Sequence, residues 1–223
     1  MGGWGEFIAA FAAFFASHVI PMRPAIRSRL MARMGVRGYF MGFSALSVAV
    51  LIWLIVAAHG APYVEILPPW RIWRWAPILV MPVVVALVVA GMMRVNPLSF
   101  GGVGRRPFDP DDPGILGLTR HPMLIALLLW SVAHLLANGD LAHVILFGMF
   151  AGFAVMGMAL TDRRKRRDLG AGAWADLARN TGWFSLSRLG GLRPDPRATL
   201  LVLLTFAVLL WLHPLVIGVS PLP

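Results

Sequence analysis

Apolar residues along this chain are gathered into six long blocks, which are separated by shorter polar stretches. Each block holds close to the 20 or so apolar residues that one α-helix needs to cross a bilayer. The pattern predicts six membrane-spanning helices, at residues 5–22, 38–59, 76–93, 122–137, 141–161 and 198–218. Only Asn138-Gly139-Asp140 joins the fourth and fifth blocks, so we expect an antiparallel hairpin with a tight turn at Gly139 and Asp140 as helix N-cap.

The basic residues indicate how these helices are oriented. Eighteen of the 20 Lys and Arg lie in the first, third and fifth connections, and only Arg71 and Arg74 lie in the others. Because Lys and Arg are enriched in cytoplasmic loops, both termini are predicted to be outside, in the periplasm of a Gram-negative source. The sequence thus predicts a single all-α transmembrane domain over residues 1–223 of a bacterial inner-membrane protein, with a basic cytoplasmic loop at 162–197.

The composition agrees with a membrane protein and excludes several other classes. Of the 223 residues 58% are hydrophobic and 13% are charged, whereas about a quarter are charged in soluble domains. The net charge of +10 lies in short loops that face anionic lipid, so we expect the bilayer as partner and not nucleic acid. Cys is absent from the sequence, which excludes disulfides, thiolate ligands and a covalently attached haem.

Histidine is the strongest candidate metal ligand within the predicted spans. His18 lies in span one on the same helical face as Phe11 and Phe14, a wall that suits a flat ligand or packing against another helix. His134 lies in span four, and His121 opens that span thirteen residues earlier, on a different side of the helix.

Neutral imidazole is the usual ligand of b-type haem, and two His from different helices give a six-coordinate iron. The candidate pairs are His18–His134 and His18–His121, and their depths in the bilayer do not separate them, since helix tilt can absorb either offset. His59 and His143 are expected at the membrane interface. His213, late in span six, is expected to hydrogen-bond between helices and is a weaker candidate ligand.

Two stretches of the chain resemble the NnrU family. The first contains Phe15-Ala16-Ser17-His18, then Arg23, Arg27, Leu30 and Gly38-Tyr39. The second contains Gly117-Leu118-Thr119-Arg120-His121-Pro122, then Ala133-His134-Leu135-Leu136-Ala137-Asn138-Gly139-Asp140, then Asp162-Arg163-Arg164-Lys165. This family comprises bacterial membrane proteins first linked to nitrite and nitric oxide reduction, and it includes the 15-cis-zeta-carotene isomerase of plants and cyanobacteria, a b-haem enzyme.

The resemblance implies one haem b held by His18 and His134, with His121 as the less favoured metal ligand. Arg23 and Arg120 lie on the predicted cytoplasmic side and could pair the haem propionates. The other side chains expected near the cofactor are Phe11 and Phe14 of the aromatic face, and Ser131. Ser131 stands where the isomerase has a Cys, so a switch to a thiolate ligand is not expected here. In a redox-gated mechanism, reduction of the iron would release one axial His. The open coordination site of the iron could then polarise a polyene double bond or bind nitric oxide.

Two other functions remain open at this stage. Arg120-His121-Pro122 also resembles the isoprenylcysteine carboxyl methyltransferases, in which an Arg-His-Pro turn and a Glu-Glu pair bind S-adenosylmethionine. This chain has Asp162-Arg163 where that acidic pair is expected. The third reading is a non-catalytic haem sensor or an assembly factor for a denitrification enzyme. The sequence does not decide the substrate, the oligomeric state or whether the protein is an enzyme.

Overall fold

The computed structural model describes residues 2–101, 107–192 and 195–223. Its regular elements are helices: α1 (Trp4–Val19), α2 (Pro24–His59), α3 (Trp75–Met92), α4 (Ile115–Leu118), α5 (Pro122–Asn138), α6 (Leu141–Leu169), α7 (Ala171–Ala178) and α8 (Pro196–Val216). Two 3₁₀ turns, Arg71–Arg74 and Leu186–Gly191, precede α3 and follow α7. Arg105 and Arg106, which the sequence assigns to a cytoplasmic loop, lie outside the described residues.

Six of these helices match the six apolar blocks. In the part of the chain described, four are long and apolar enough to cross a membrane: α2, α3 with the turn before it, α6 and α8, each with a mean hydropathy of 2.1 to 2.4. The other two, α1 and α5, are apolar but have only 16 and 17 residues. The all-helical membrane fold is therefore confirmed for four candidate spans, while the count of six spans and the outward termini stay predictions.

Two helices extend beyond their apolar blocks. α2 begins at Pro24 rather than near residue 38, and it is interrupted at Gly35, where φ is 72°. α6 continues from its apolar part through the basic run to Leu169, because Arg and Lys are good helix formers. The predicted basic loop 162–197 is thus partly helical, and it also contains a second, short helix, α7.

The connection between α5 and α6 has the predicted local structure. Gly139 adopts the left-handed conformation with φ 57°, and its N–H donates to the carbonyl of Leu135 at 3.0 Å. Asp140 then caps α6 by accepting from the backbone N–H of His143 at 3.3 Å. Early α5 meets late α6 where Leu124 packs on Gly157, and late α5 meets earlier α6 where Trp130 contacts Phe147. The two helices are therefore antiparallel over this stretch.

The described residues form two compact units. The first contains the chain up to Ile66 together with Asp140–Leu146, and in it α1 packs against α2. The second contains Leu67–Gly139 and residues from Phe147 onward, and in it α3 packs against both α5 and α8. Its apolar core includes Val84, Leu87, Leu124, Ile125 and Met158. The candidate ligand residues are divided between these units, with His18 in the first and His134 in the second.

Candidate functional site

His18 lies in the last turn of α1, inside the first unit. Its Nδ1 is 2.8 Å from the carbonyl oxygen of Phe14, and because a carbonyl only accepts, the ring proton must be on Nδ1. In the neutral form of the ring, Nε2 then keeps its lone pair. The ring centroid is 4.3 Å from that of Phe14 and 5.7 Å from that of Phe43. An imidazole fixed by a carbonyl at one nitrogen and open at the other is the usual arrangement of a metal-ligating His.

The aromatic face of α1 is used mainly for packing within this unit. Phe7 and Phe14 are buried, and Phe11 is half-buried with its ring centroid 5.5 Å from that of Phe7. The predicted grouping of these side chains on one face is confirmed, whereas their contact with a cofactor stays a prediction. Arg23, the predicted propionate partner, is exposed as the N-cap residue of α2 and has no side-chain hydrogen bond among the described residues.

His134, in the second unit, repeats the arrangement of His18. Its Nδ1 donates to the carbonyl of Trp130 at 2.8 Å, and its Nε2 has no hydrogen-bond partner among the described residues. The ring lies between the aromatic rings of Trp130 and Phe147, at centroid distances of 5.2 and 5.5 Å. Ser131 is completely buried, and its hydroxyl donates to Leu127 within the same helix at 2.7 Å, so this hydroxyl is already committed.

A cavity of about 190 Å³ adjoins His134 in the second unit. It is lined by α3, α5, α8 and residues 219–222, and most of its wall is apolar. His213 of α8 borders the same cavity, with its Nδ1 donating to the carbonyl of Val219 at 2.7 Å. Two imidazoles, each with Nδ1 engaged and Nε2 left open, therefore face one cavity. The polar lining also includes Asn138, Ser220 and Arg74, of which Arg74 is the one permanently charged residue among those the structure describes.

A third group of polar residues, also in the second unit, surrounds Asp162 of α6. Its carboxylate accepts from the Arg120 guanidinium through both Nε and a terminal nitrogen, with the Nε contact at 2.9 Å. It also accepts from the indole of Trp183 at 2.7 Å and from Nε2 of His121 at 3.0 Å. The other ring nitrogen of His121 is 2.9 Å from the hydroxyl of Ser99.

These contacts determine which ring nitrogen of His121 carries the proton. Because a carboxylate accepts, the proton is on Nε2, and Nδ1 accepts from the Ser99 hydroxyl. Burial lowers the pKa of His121 below its usual value, although the attraction of Asp162 opposes this shift. The neutral ring has both nitrogens occupied, so metal binding by His121 would require it to give up Ser99 or Asp162. Pairing of Arg120 with a propionate would likewise compete with Asp162.

Trp174 of α7 contacts the polar group around Asp162. This group, the Arg120 cluster, consists of Ser99, Arg120, His121, Asp162 and Trp183. The ring of Trp174 is 5.5 Å from the guanidinium carbon of Arg120 and 5.6 Å from that of Arg166, both within the range of cation–π attraction. The indole Nε1 of Trp174 is buried and has no hydrogen-bond partner among the described residues. Helix α7 is therefore attached through Trp174 to the Arg120 cluster.

Comparison with known proteins places the chain in a family without naming its activity. The family model described as NnrU protein matches residues 6–221, nearly the whole length. The chain belongs to the NnrU family. Neither curated proteins nor solved structures give a match.

Membership in the NnrU family confirms the resemblance seen in the sequence, while haem b and its ligands stay predictions. Among the described residues, no three side chains of His, Cys, Asp or Glu come together as a metal site. The pairing of His134 and His213 on one cavity was missed by sequence reasoning, because 79 positions and different helices separate them. The ion pair of Arg120 with Asp162 was also missed, since nothing in the local sequence joins them.

Proposed function

We propose that this NnrU-family protein binds a b-type haem within a bacterial inner membrane, with His134 as an axial ligand of the iron. The observation that carries this proposal is the state of His134: Nδ1 is held by the Trp130 carbonyl, and Nε2 is open beside an apolar cavity. The second axial ligand expected from the family resemblance is His18, which has the same hydrogen-bond arrangement. His213 is the alternative that the cavity adds.

The donor set suits haem better than a free metal ion. Haem iron needs only two protein ligands, and neutral imidazole is its usual ligand, whereas a structural zinc site needs four. The cavity of about 190 Å³ is smaller than the roughly 300–1,000 Å³ typical of a pocket for a drug-sized ligand. As it stands, the cavity is therefore too small to enclose a whole porphyrin ring.

Bound haem would supply an iron that changes between the ferrous and ferric states, which suits cis-trans isomerisation of a polyene or binding of nitric oxide. The residues of this chain would provide the surroundings. The Trp130 carbonyl fixes the tautomer and orientation of His134. It also makes Nε2 more basic and thus a better ligand for a metal. The rings of Trp130 and Phe147 limit the access of water to that imidazole.

A visible absorption spectrum of the detergent-purified protein, before and after reduction with dithionite, tests the proposal. We expect a sharp Soret band and low-spin α and β bands in the reduced protein. A protein that is colourless and does not take up added haemin would overturn the proposal. If haem is present, turnover of cis-configured carotenoids separates an isomerase from a non-catalytic haem sensor or an assembly factor.

The Arg120 cluster favours a second candidate, transfer of a methyl group from S-adenosylmethionine. The specific observation is that Asp162 lies beside Arg120 and His121, and that the indole Nε1 of Trp174 is buried there without a partner. Ligand binding raises the melting temperature of a folded protein. This candidate therefore predicts a higher melting temperature with S-adenosylmethionine, and an unchanged value contradicts it.

A further inference from the structure

The cavity beside His134 holds a positive charge without a counter-ion in the described chain. Arg74 borders the cavity, and its guanidinium forms no ion pair or side-chain hydrogen bond with the described residues. Among the described residues, the lining of the cavity contains neither Asp nor Glu. A permanent cation next to an apolar cavity attracts an anion, and an Arg guanidinium can donate two parallel hydrogen bonds to a carboxylate.

The rest of the lining indicates the nature of the anion. Its apolar wall is formed by two groups of side chains, Ile78 and Met81 of α3, and Phe206, Leu209 and Leu210 of α8. The hydroxyl oxygen of Ser220 accepts from the backbone N–H of Leu222 at 3.2 Å, so its own proton is left to donate. A guanidinium and a hydroxyl donor together with a largely apolar wall match a carboxylate that is attached to an apolar body.

The chain beyond α8 forms part of the wall of this cavity. Gly218, with φ 81°, turns the backbone so that Val219, Ser220, Pro221 and Leu222 line the cavity. The hydrogen bond of 2.7 Å from His213 Nδ1 to the Val219 carbonyl fixes this returning segment to α8. Both donors, Arg74 and Ser220, are exposed to solvent, and several elements build the site around them.

We propose that this cavity binds a carboxylate carried on an apolar body, with Arg74 as its ion-pair partner and Ser220 as a second donor. Such a carboxylate has two sources. One is a propionate of haem, which would pair with Arg74 rather than with Arg23 or Arg120. With this source, the inference rests on the proposed function. The other is a free amphiphilic carboxylate such as a long-chain fatty acid, which does not depend on haem.

The first arm of the test uses haem-free protein in a neutral detergent, titrated with haemin and with haemin dimethyl ester, whose propionates are blocked. If a propionate pairs with Arg74, we expect haemin to bind about tenfold tighter than the ester, and Arg74→Gln to remove that difference. Arg71→Gln is the matched control, because Arg71 lies in the same 3₁₀ turn but does not line this cavity. It should leave both affinities unchanged.

The second arm titrates the same haem-free protein with cis-parinaric acid and its methyl ester, followed by fluorescence. If the carboxylate comes from a free amphiphile, the acid binds tighter than its ester in the wild type and in Arg71→Gln but not in Arg74→Gln. If acid and ester bind equally in both arms, or if the two Arg variants behave alike, the inference is overturned. If the protein does not take up haemin, the proposed function is rejected. The titration with cis-parinaric acid then still tests whether the cavity binds a carboxylate.

Discussion

His121 and Asp162 are joined by a hydrogen bond of 3.0 Å although 41 positions separate them in the chain. The same carboxylate pairs with Arg120, so one acidic residue of α6 fixes two consecutive residues in front of α5. Both helices are apolar over most of their length, and apolar contacts alone give little positional specificity between helices in lipid. This polar connection therefore sets where α5 begins relative to α6.

Asp162→Asn is expected to destabilise the second unit. The side chains of Arg120 and Asp162 are only 12% and 16% exposed, and removing one partner of a largely buried ion pair leaves the other charge uncompensated. We expect a loss of about 2–4 kcal/mol, measured as a lower thermal unfolding temperature in detergent. Asp168→Asn is the control, because Asp168 pairs with exposed arginines on the same helix and should change little. Equal effects of the two substitutions would contradict the role of Asp162.

Acidification is expected to weaken the wild type more than His121→Gln. The pKa of His121 is lowered by burial, so below about pH 6.5 the unfolded chain binds a proton that the folded protein excludes. This contribution to stability is present above the unfolded pKa and is lost as the pH falls through the folded pKa. Gln does not titrate and can still donate to Asp162.

Unfolding temperatures of the wild type and His121→Gln, measured from about pH 7.5 to pH 5.5, check this prediction. Other groups titrate in both proteins, so the informative quantity is the difference between their two profiles. A gap that stays constant over this range would show that His121 has the same pKa in the folded and unfolded states.

His134→Ala is expected to lose most of the haem if the proposed function is correct, because it removes the Nε2 that faces the cavity. His59→Ala, at the end of α2, should retain it. The measurement is the ratio of Soret to protein absorbance after purification. His18→Ala and His213→Ala, compared in the same way, identify the second ligand. Equal haem content in His134→Ala and His59→Ala rejects the assignment of His134.

Gly139→Ala is expected to destabilise the turn between α5 and α6. Gly139 has φ 57°, and a Cβ added there would lie 2.8 Å from the carbonyl oxygen of Leu67. Left-handed backbone and this collision together should cost about 1–3 kcal/mol in the free energy of unfolding. Gly172→Ala, in α7 with open space around it, should be neutral or slightly stabilising. The comparison is made by thermal unfolding, and a neutral Gly139→Ala would be the contrary result.

The sequence located most of the helices because the bilayer imposes a length on apolar segments. The start of α5 at Pro122 and its end before Gly139 followed from residues that favour helix termini. The early start of α2 at Pro24 could not be found in this way, because its first turns carry arginines and give no apolar signal. Hydropathy detects the part of a helix that meets lipid and not the part beyond it.

The candidate site was predictable only in part. A helical His always has a carbonyl four residues earlier, so the Nδ1 contacts of His18 and His134 are local and follow from the helix itself. The contact of His121 with Asp162 and the shared cavity of His134 and His213 depend on which helices pack together. Periodicity within one helix carries no information about that choice.

The interruption at Gly35 divides α2 into two segments, and the second of them matches the thickness of a membrane. A straight helix of 36 residues would be about 54 Å long, well beyond an apolar core of about 30 Å. The break leaves residues 36–59, which are mostly apolar and form about 36 Å of helix, as one rod that fits that thickness with a modest tilt. The preceding segment carries Arg27, Arg29 and Arg33, a composition that suits anionic lipid headgroups, and Arg27 still contacts the ring of Tyr39 across the break at 5.9 Å.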